Sequence, residues 1–218
     1  MKRVGHLQNI IDTPASRRAM LGTILFGGMT MAAGGIGHAA PLLTPAVLRP
    51  EVRARALAAM SRHVGRVAHR DVIGVCDFDD PSAKPRFHLL DVTSGKVDSF
   101  LVAHGRGSDP AHTGWLKRFS NEMGSAASSS GAFVTGEEYV GNHGRSRRID
   151  GLDPTNSNAR ARSVVIHGAW YAEREMVAQH GKLGRSEGCF AFGERDLATI
   201  MGRLGPGRLI YADKIDRA

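Results

Sequence analysis

Residues 163–192 read SVVIHGAWYAEREMVAQHGKLGRSEGCFAF, and this stretch carries two signals that set the architecture. Ser163–His167 is a β-branched apolar run ending in His167-Gly168, the pattern of a buried strand whose last side chain stands at a rim. Gly184-Arg185-Ser186-Glu187-Gly188-Cys189 is rich in turn residues and feeds a short apolar strand, Cys189–Phe192.

Outward from there the texture is mostly β. Asp71–Phe78, Arg86–Thr93 and Val97–His104 are short apolar or alternating runs, with turns at Pro81–Pro85 and Ser94-Gly95. Phe133–Tyr139 and Arg208–Ala212 read as further strands, and Glu194–Arg203 as a short helix. Residues 105–131 form a long Gly- and Ser-rich loop, and residues 141–162 are again loop-like. Ahead of the strands, Glu51–Ala68 places Val52, Ala56, Met60, Val64 and Val67 on one face, which predicts an amphipathic helix packed on the domain. Pro41–Pro50 is a proline-punctuated linker. The expected class is a mainly β domain with one N-terminal amphipathic helix and short helices, not a βαβ repeat.

The chemistry centres on Cys189. A nucleophilic thiol needs a base, access and donors for a developing oxyanion. Gly188 permits a tight turn, and the N–H groups of Gly188 and Cys189 are the candidate oxyanion donors. Arg185 is a candidate to lower the thiol pKa or to hold a substrate carboxylate. His167, 22 residues earlier, is the candidate base, with a backbone carbonyl near Gly168 to orient its ring. Tyr171 lies four residues past His167 and reads either as a cleft residue or as a packed one. His104, in His104-Gly105-Arg106-Gly107-Ser108, reads equally as a cleft residue or a structural hydrogen-bonding one. Asp109, His104 and His112 lack the spacing of a metal site, and Gly181–Ser186 lacks that of a phosphate loop.

These residues resemble the murein L,D-transpeptidase catalytic (YkuD-like) family, in which a His-Gly strand end and a Ser-x-Gly-Cys turn assemble a cysteine site. The likeness is carried by His167-Gly168-Ala169, Ser186-x-Gly188-Cys189 and Val102-Ala103-His104-Gly105-x-Gly107-Ser108. Phe119-Ser120-Asn121, Ser128-Ser129, His143-Gly144, Asn156 and Arg162 extend it, so that it runs from about Asp71 to Tyr211. Glu187 stands where many members have His, and Ala191 where they commonly have Arg. The resemblance implies a β-sandwich-like catalytic domain without metal or organic cofactor. It implies a site of Cys189, His167, Gly188 and Ser186, and it tips the Ser120–Ser130 stretch, otherwise a solvated turn, toward a substrate-binding loop that holds Ser129; Arg185, His104 and Tyr171 are the other candidates along the substrate. Cys189 would attack a diamino-acid carbonyl in a peptidoglycan tetrapeptide stem and release D-alanine. An amine of a second stem, or water in a carboxypeptidase variant, would take the thioester. A non-catalytic wall-binding module is the rival of a different class.

The rest of the chain sets the context. Lys2, Arg3, Arg17 and Arg18 precede an uncharged stretch at 19–37, and Gly37-His38-Ala39 offers small residues for cleavage. Residues 1–39 therefore read as an export signal with a twin-arginine-like Ser16-Arg17-Arg18, and the expected location is the periplasm or cell envelope. A retained anchor is the other reading of that stretch; with cleavage, no stable membrane insertion is expected. Residues 40–70 then form linker and helix, and 71–218 the catalytic domain. The chain's formal charge is +8; losing residues 1–39, with four basic residues and Asp12, leaves +5. No basic run interleaved with aromatics points to nucleic acid. Two cysteines, Cys76 and Cys189, exclude a disulfide scaffold or a zinc ribbon but permit one disulfide, in an exported chain, that would silence the site.

Overall fold

The computed structural model describes residues 47–215. The expected leader and most of the linker lie outside the described residues. Eight strands are β1 (Val72–Asp77), β2 (Phe87–Asp91), β3 (Val97–Phe100), β4 (Gly131–Gly141), β5 (Gly144–Gly151), β6 (Val165–Gly168), β7 (Phe190–Phe192) and β8 (Leu209–Asp213). Three helices are α1 (Pro50–Arg62), α2 (Arg174–His180) and α3 (Glu194–Arg203).

The strands form one sheet in the order β3-β2-β1-β8-β4-β5-β6-β7, with β1–β8 and β6–β7 parallel and the other pairs antiparallel. The sheet does not lie flat. Phe87 on β2 and Phe192 on β7 are near opposite ends of the order, yet their rings meet edge-on with centroids 4.8 Å apart. Phe133 on β4 meets Phe190 on β7 at 5.5 Å. The sheet is thus coiled over one aromatic core, to which Phe78, Leu89, Ile149 and Ile166 also contribute. Two facing halves of a coiled sheet give the sandwich-like layering, and a bridge between Ala103 and Ala191 ties them together.

The outer face of the central strands is covered by α1. Pro50 at its start, Glu51 in its first turn and Arg62 in its last suit a helix. Val52, Ala56 and Ala59 bury against Ile73, Val75, Leu209 and Tyr211. This second layer explains why every residue of β1 is buried. Arg49, just before α1, grips Asp77 at the end of β1 through Nη2–Oδ1 (2.6 Å) and Nε–Oδ2 (2.5 Å).

The structure corrects three local expectations. The helix stops at Arg62, not Ala68: His63 leaves the helical region, and Gly65 follows it. Val64 is exposed, while Val67 still reaches the α1 layer. The stretch 141–162 contains a strand, β5, whose Arg145, Arg147 and Arg148 hide the usual apolar alternation. Those arginines work as cross-strand partners: Arg147 lies opposite Glu138, and the Arg148 guanidinium sits 4.4 Å from the Tyr139 ring centre and pairs with Glu137. The third run stops pairing with β2 after Phe100, because Leu101–Gly105 crosses to the other half of the sheet.

Candidate active site

The turn that carries Cys189 is shaped from outside. Ser186 N–H donates to His104 O (2.9 Å), and Arg106 N–H donates to Ser186 O (2.8 Å). Gly105 pairs with Ser186 as an isolated bridge. A Cβ on Gly105 would lie 2.4 Å from Ala126 O and 2.8 Å from Gly188 N, so only glycine lets these backbones pack. Gly188 itself has φ 114°, and a Cβ there would lie 2.7 Å from Ala127 O. Within the turn, Ser186 Oγ donates to Cys189 O (2.8 Å) and accepts the Gly188 N–H (3.2 Å).

The β6–β7 register pairs Ile166 with Phe190 and His167 with Ala191. Cys189 stands one residue before Phe190 and two before Ala191, which makes it the diagonal neighbour of His167. His167 Nδ1 lies 2.8 Å from Gly168 O. That contact assigns the proton to Nδ1 and leaves Nε2 as the acceptor. Burial holds the His167 pKa below the usual 6.5; the Gly168 hydrogen bond works against this, and His143 adds to it. The Cys189 S–H donates to Ser163 O at 3.6 Å. Ser163 has φ 55°, a left-handed conformation uncommon for serine, directly beside the thiol. Burial pushes the Cys189 pKa up, opposed by a backbone hydrogen bond from Val165 and by Arg162, while Glu187 adds to the rise. Both residues line one cleft of about 320 Å³. A partly exposed thiol beside a buried neutral imidazole is equipped for nucleophilic acyl chemistry.

Residues 45–212 match the family described as the L,D-transpeptidase catalytic domain. The chain belongs to this family. No curated protein matches it. Among solved structures, it is similar to an L,D-transpeptidase from Mycobacterium smegmatis at 15% identity and TM-score 0.40, covering 66% of this chain and 58% of that one. It is likewise similar to an L,D-transpeptidase from Mycobacterium tuberculosis H37Rv at 12% identity and TM-score 0.41, covering 66% and 57%. The chain spans less than two thirds of the length of either structure. The matched region takes in α1, which packs on the sheet.

Within this L,D-transpeptidase domain the expected site residues fall into two groups. Cys189, His167, Ser186, Arg185 and Tyr171 all line the 320 Å³ cleft. Ser186 spends its hydroxyl closing the turn, and the Gly188 N–H expected for an oxyanion is engaged by it. Arg185 is tied to Asp109 O and Pro110 O, and the charges acting on Cys189 are Arg162 and Glu187. Tyr171 has its pKa pushed up to about 12, chiefly by burial. The other two leave the substrate side. His104 is fully buried: Arg86 Nη2 donates to its Nδ1 (2.7 Å), and its Nε2 lies 3.5 Å from Asp109 Oδ2. Ser129 is buried too, bound to Ser120 O (2.9 Å) and to Arg162 Nη1 (2.6 Å). Both are braces behind the cleft, because no surface of either is open to a ligand.

His143, Arg162, Ser163 and Glu187 complete the cleft wall, without a role assigned from sequence. The β4–β5 hairpin tip brings in His143, and pairing of Ser146 with His167 fixes its reach. A second cleft of about 340 Å³ shares Arg162, Ser163 and Glu187 and adds Arg106 and Met123. Another cavity, of about 520 Å³, lies on α2 and is lined by no cysteine. Cys76 and Cys189 are both free thiols, and Cys76 is sealed in β1. Among the described residues no cluster of His, Cys, Asp and Glu is placed to hold a metal, and no helix is long and apolar enough to cross a membrane.

Proposed function

We propose that the protein is an exported acyltransferase for peptidoglycan stem peptides that works through a thioester on Cys189. The observation that carries this reading is the shared cleft of Cys189 and His167, with the His167 Nδ1 proton committed to Gly168 O and Nε2 left to accept. Membership of the L,D-transpeptidase family supports the reaction type.

In the first half-reaction His167 Nε2 takes the thiol proton and Cys189 Sγ attacks the carbonyl at the L-centre of the stem's diamino acid. The amide bond to the terminal D-alanine breaks, and the proton on His167 passes to the departing amine. In the second, His167 deprotonates an incoming amine from another stem, which displaces the thiolate and forms the cross-link. Water in place of the amine makes the same site a carboxypeptidase. Placement in the cell envelope rests on the twin-arginine-like start and the uncharged stretch at 19–37.

The test uses the purified chain with a disaccharide-tetrapeptide and, separately, with a carbapenem, whose strained lactam offers an acyl group to a thiol. D-Alanine release with cross-linked or trimmed products, and a mass adduct absent from Cys189→Ala, support the proposal. Turnover by the folded Cys189→Ala variant overturns it. Wall binding with neither adduct nor turnover gives the site to a binding module instead. Fractionation of cells checks the location; retention of the intact chain in the cytoplasm overturns the export part.

A further inference from the structure

We propose that Arg162 supplies the fixed, uncompensated positive charge that stabilises the Cys189 thiolate. The inference rests on Cys189 being the nucleophile of the proposed reaction and adds the group that makes its anion accessible.

The argument begins with what holds Arg162. Its Nη1 donates to Ser120 O (2.8 Å) and Ser129 Oγ (2.6 Å), and its Nη2 donates to Ala127 O (2.5 Å). All three acceptors are neutral. Among the described residues no carboxylate pairs with Arg162. Other arginines nearby in the chain differ: Arg160 is clamped between Glu137 and Asp150, and Arg147 and Arg148 each have a glutamate. A guanidinium fixed by carbonyls keeps its field, whereas one facing a carboxylate spends it there. Arg162 is also half-buried, so water screens it only in part.

That field is aimed at the cleft. Arg162 lines the same cavity wall as Cys189, and its Nη2 lies 3.1 Å from where a Cβ on Gly188 would sit, the residue just before the nucleophile. The next residue along, Ser163, turns its carbonyl onto the thiol through its left-handed φ of 55°. One dipeptide therefore brings both a hydrogen-bond acceptor for the S–H and a cation for the S⁻. Other groups facing the thiol compete poorly. Glu187 is exposed and held by Arg106 at 2.8 Å; Arg185, likewise held by neutral carbonyls at 109–110, is not among the charges that act on the thiol; His167, His143 and Tyr171 are not fixed cations. The electrostatic directions agree: Arg162 pulls the thiol pKa down against burial, and Cys189 pulls that of Arg162 up.

Alkylation of Cys189 by iodoacetamide, followed against pH, reads the thiolate without any peptidoglycan substrate. Cys189→Ala serves as the blank for Cys76. The expected result is a midpoint about one pH unit higher in Arg162→Met, with Arg162→Lys recovering most of the difference, as an adjacent charge of this kind dictates. A midpoint unmoved in Arg162→Met, or equal in the Met and Lys variants, overturns the proposal, since a purely bracing arginine is not replaced by lysine. If Arg162→Met does not fold, the wild type decides. A fixed cation raises the rate with anionic iodoacetate relative to iodoacetamide above that ratio for a small neutral thiol; a ratio at or below the small thiol's overturns it. Failure on stem peptides with the alkylation shift intact would sink the substrate reading and leave Arg162 in place.

Discussion

The imidazole of His143 lies stacked on that of His167, ring centroids 4.3 Å apart and planes 23° from parallel. Two rings so close resist sharing charge, and His143 adds to the burial that keeps His167 neutral. A base with a depressed pKa stays unprotonated to lower pH, so the acidic limb of acylation should fall below 6.5. His143→Ala removes the like-charge partner and admits water, which raises the His167 pKa. The acidic limb of carbapenem acylation should then move to higher pH, with the plateau rate changed less than the midpoint. An unmoved limb would show that the stacking has no electrostatic role.

Two other histidines make the fold acid-sensitive. Burial pulls His88 down to about 4, and burial with Arg86 pulls His104 down to about 3. Their folded pKa values lie below the unfolded 6.5, so below that pH the unfolded chain binds more protons and stability falls as pH falls. The loss runs from about 6.5 down through 4 and 3, at about 1.4 kcal/mol per pH unit for each histidine. Depressed carboxylates such as Asp71 and Asp91 add their loss only near and below 3.8. Urea midpoints between pH 7 and about 5.5 isolate the histidines, because the depressed Glu137 and Glu138 add their own loss from about 4.5 down. They should drop steadily, and His88→Gln should flatten the slope.

Gly188→Ala should cost more at the site than in the fold. The φ of 114° and the 2.7 Å approach to Ala127 O leave no room for a methyl group. Strain of about 2–3 kcal/mol should push the turn off the segment around Ala127. Differential scanning calorimetry should report a modest fall in Tm, while acylation of Cys189 should drop by about a hundredfold, the effect of a misplaced nucleophile. Wild-type acylation would mean the turn has a second productive shape.

Arg49→Ala tests how α1 is fastened. Asp77 is almost fully buried, and the two-point grip of Arg49 neutralises it. Removing one partner of a fully buried pair costs about 3–5 kcal/mol, less when one side is partly open. We expect about 2 kcal/mol, a Tm lower by about 4–8 °C. Asp77→Asn in the same background should recover part of it, because the stranded charge is gone.

The site was legible where its chemistry is contiguous. His167 ends an apolar strand and Cys189 follows a glycine-marked turn, so residue type and local pattern agree. The helix at Glu194–Arg203 was legible for the same reason, and the structure reproduces its bounds. Strand β5 was hidden because its inward and outward residues are both arginines, matched by glutamates on a neighbour that no local pattern reveals. Arg162 stands out in the sequence only through the family likeness, since its partners are loop carbonyls some 35 to 42 positions away and its own stretch looks like a surface turn. His104 and Ser129 were open to either role because burial depends on which loops close over them.

The nucleophile turn is closed from within by Ser186 but templated from outside by His104–Arg106, residues 78 to 85 positions upstream of Gly184–Cys189. The reactive geometry consequently depends on tertiary closure: it exists only once the two ends of the coiled sheet have met. A nascent, nicked or half-unfolded chain carries the same cysteine but lacks the bend that presents it. Chemical competence at Cys189 thereby reports that this long-range contact has been made.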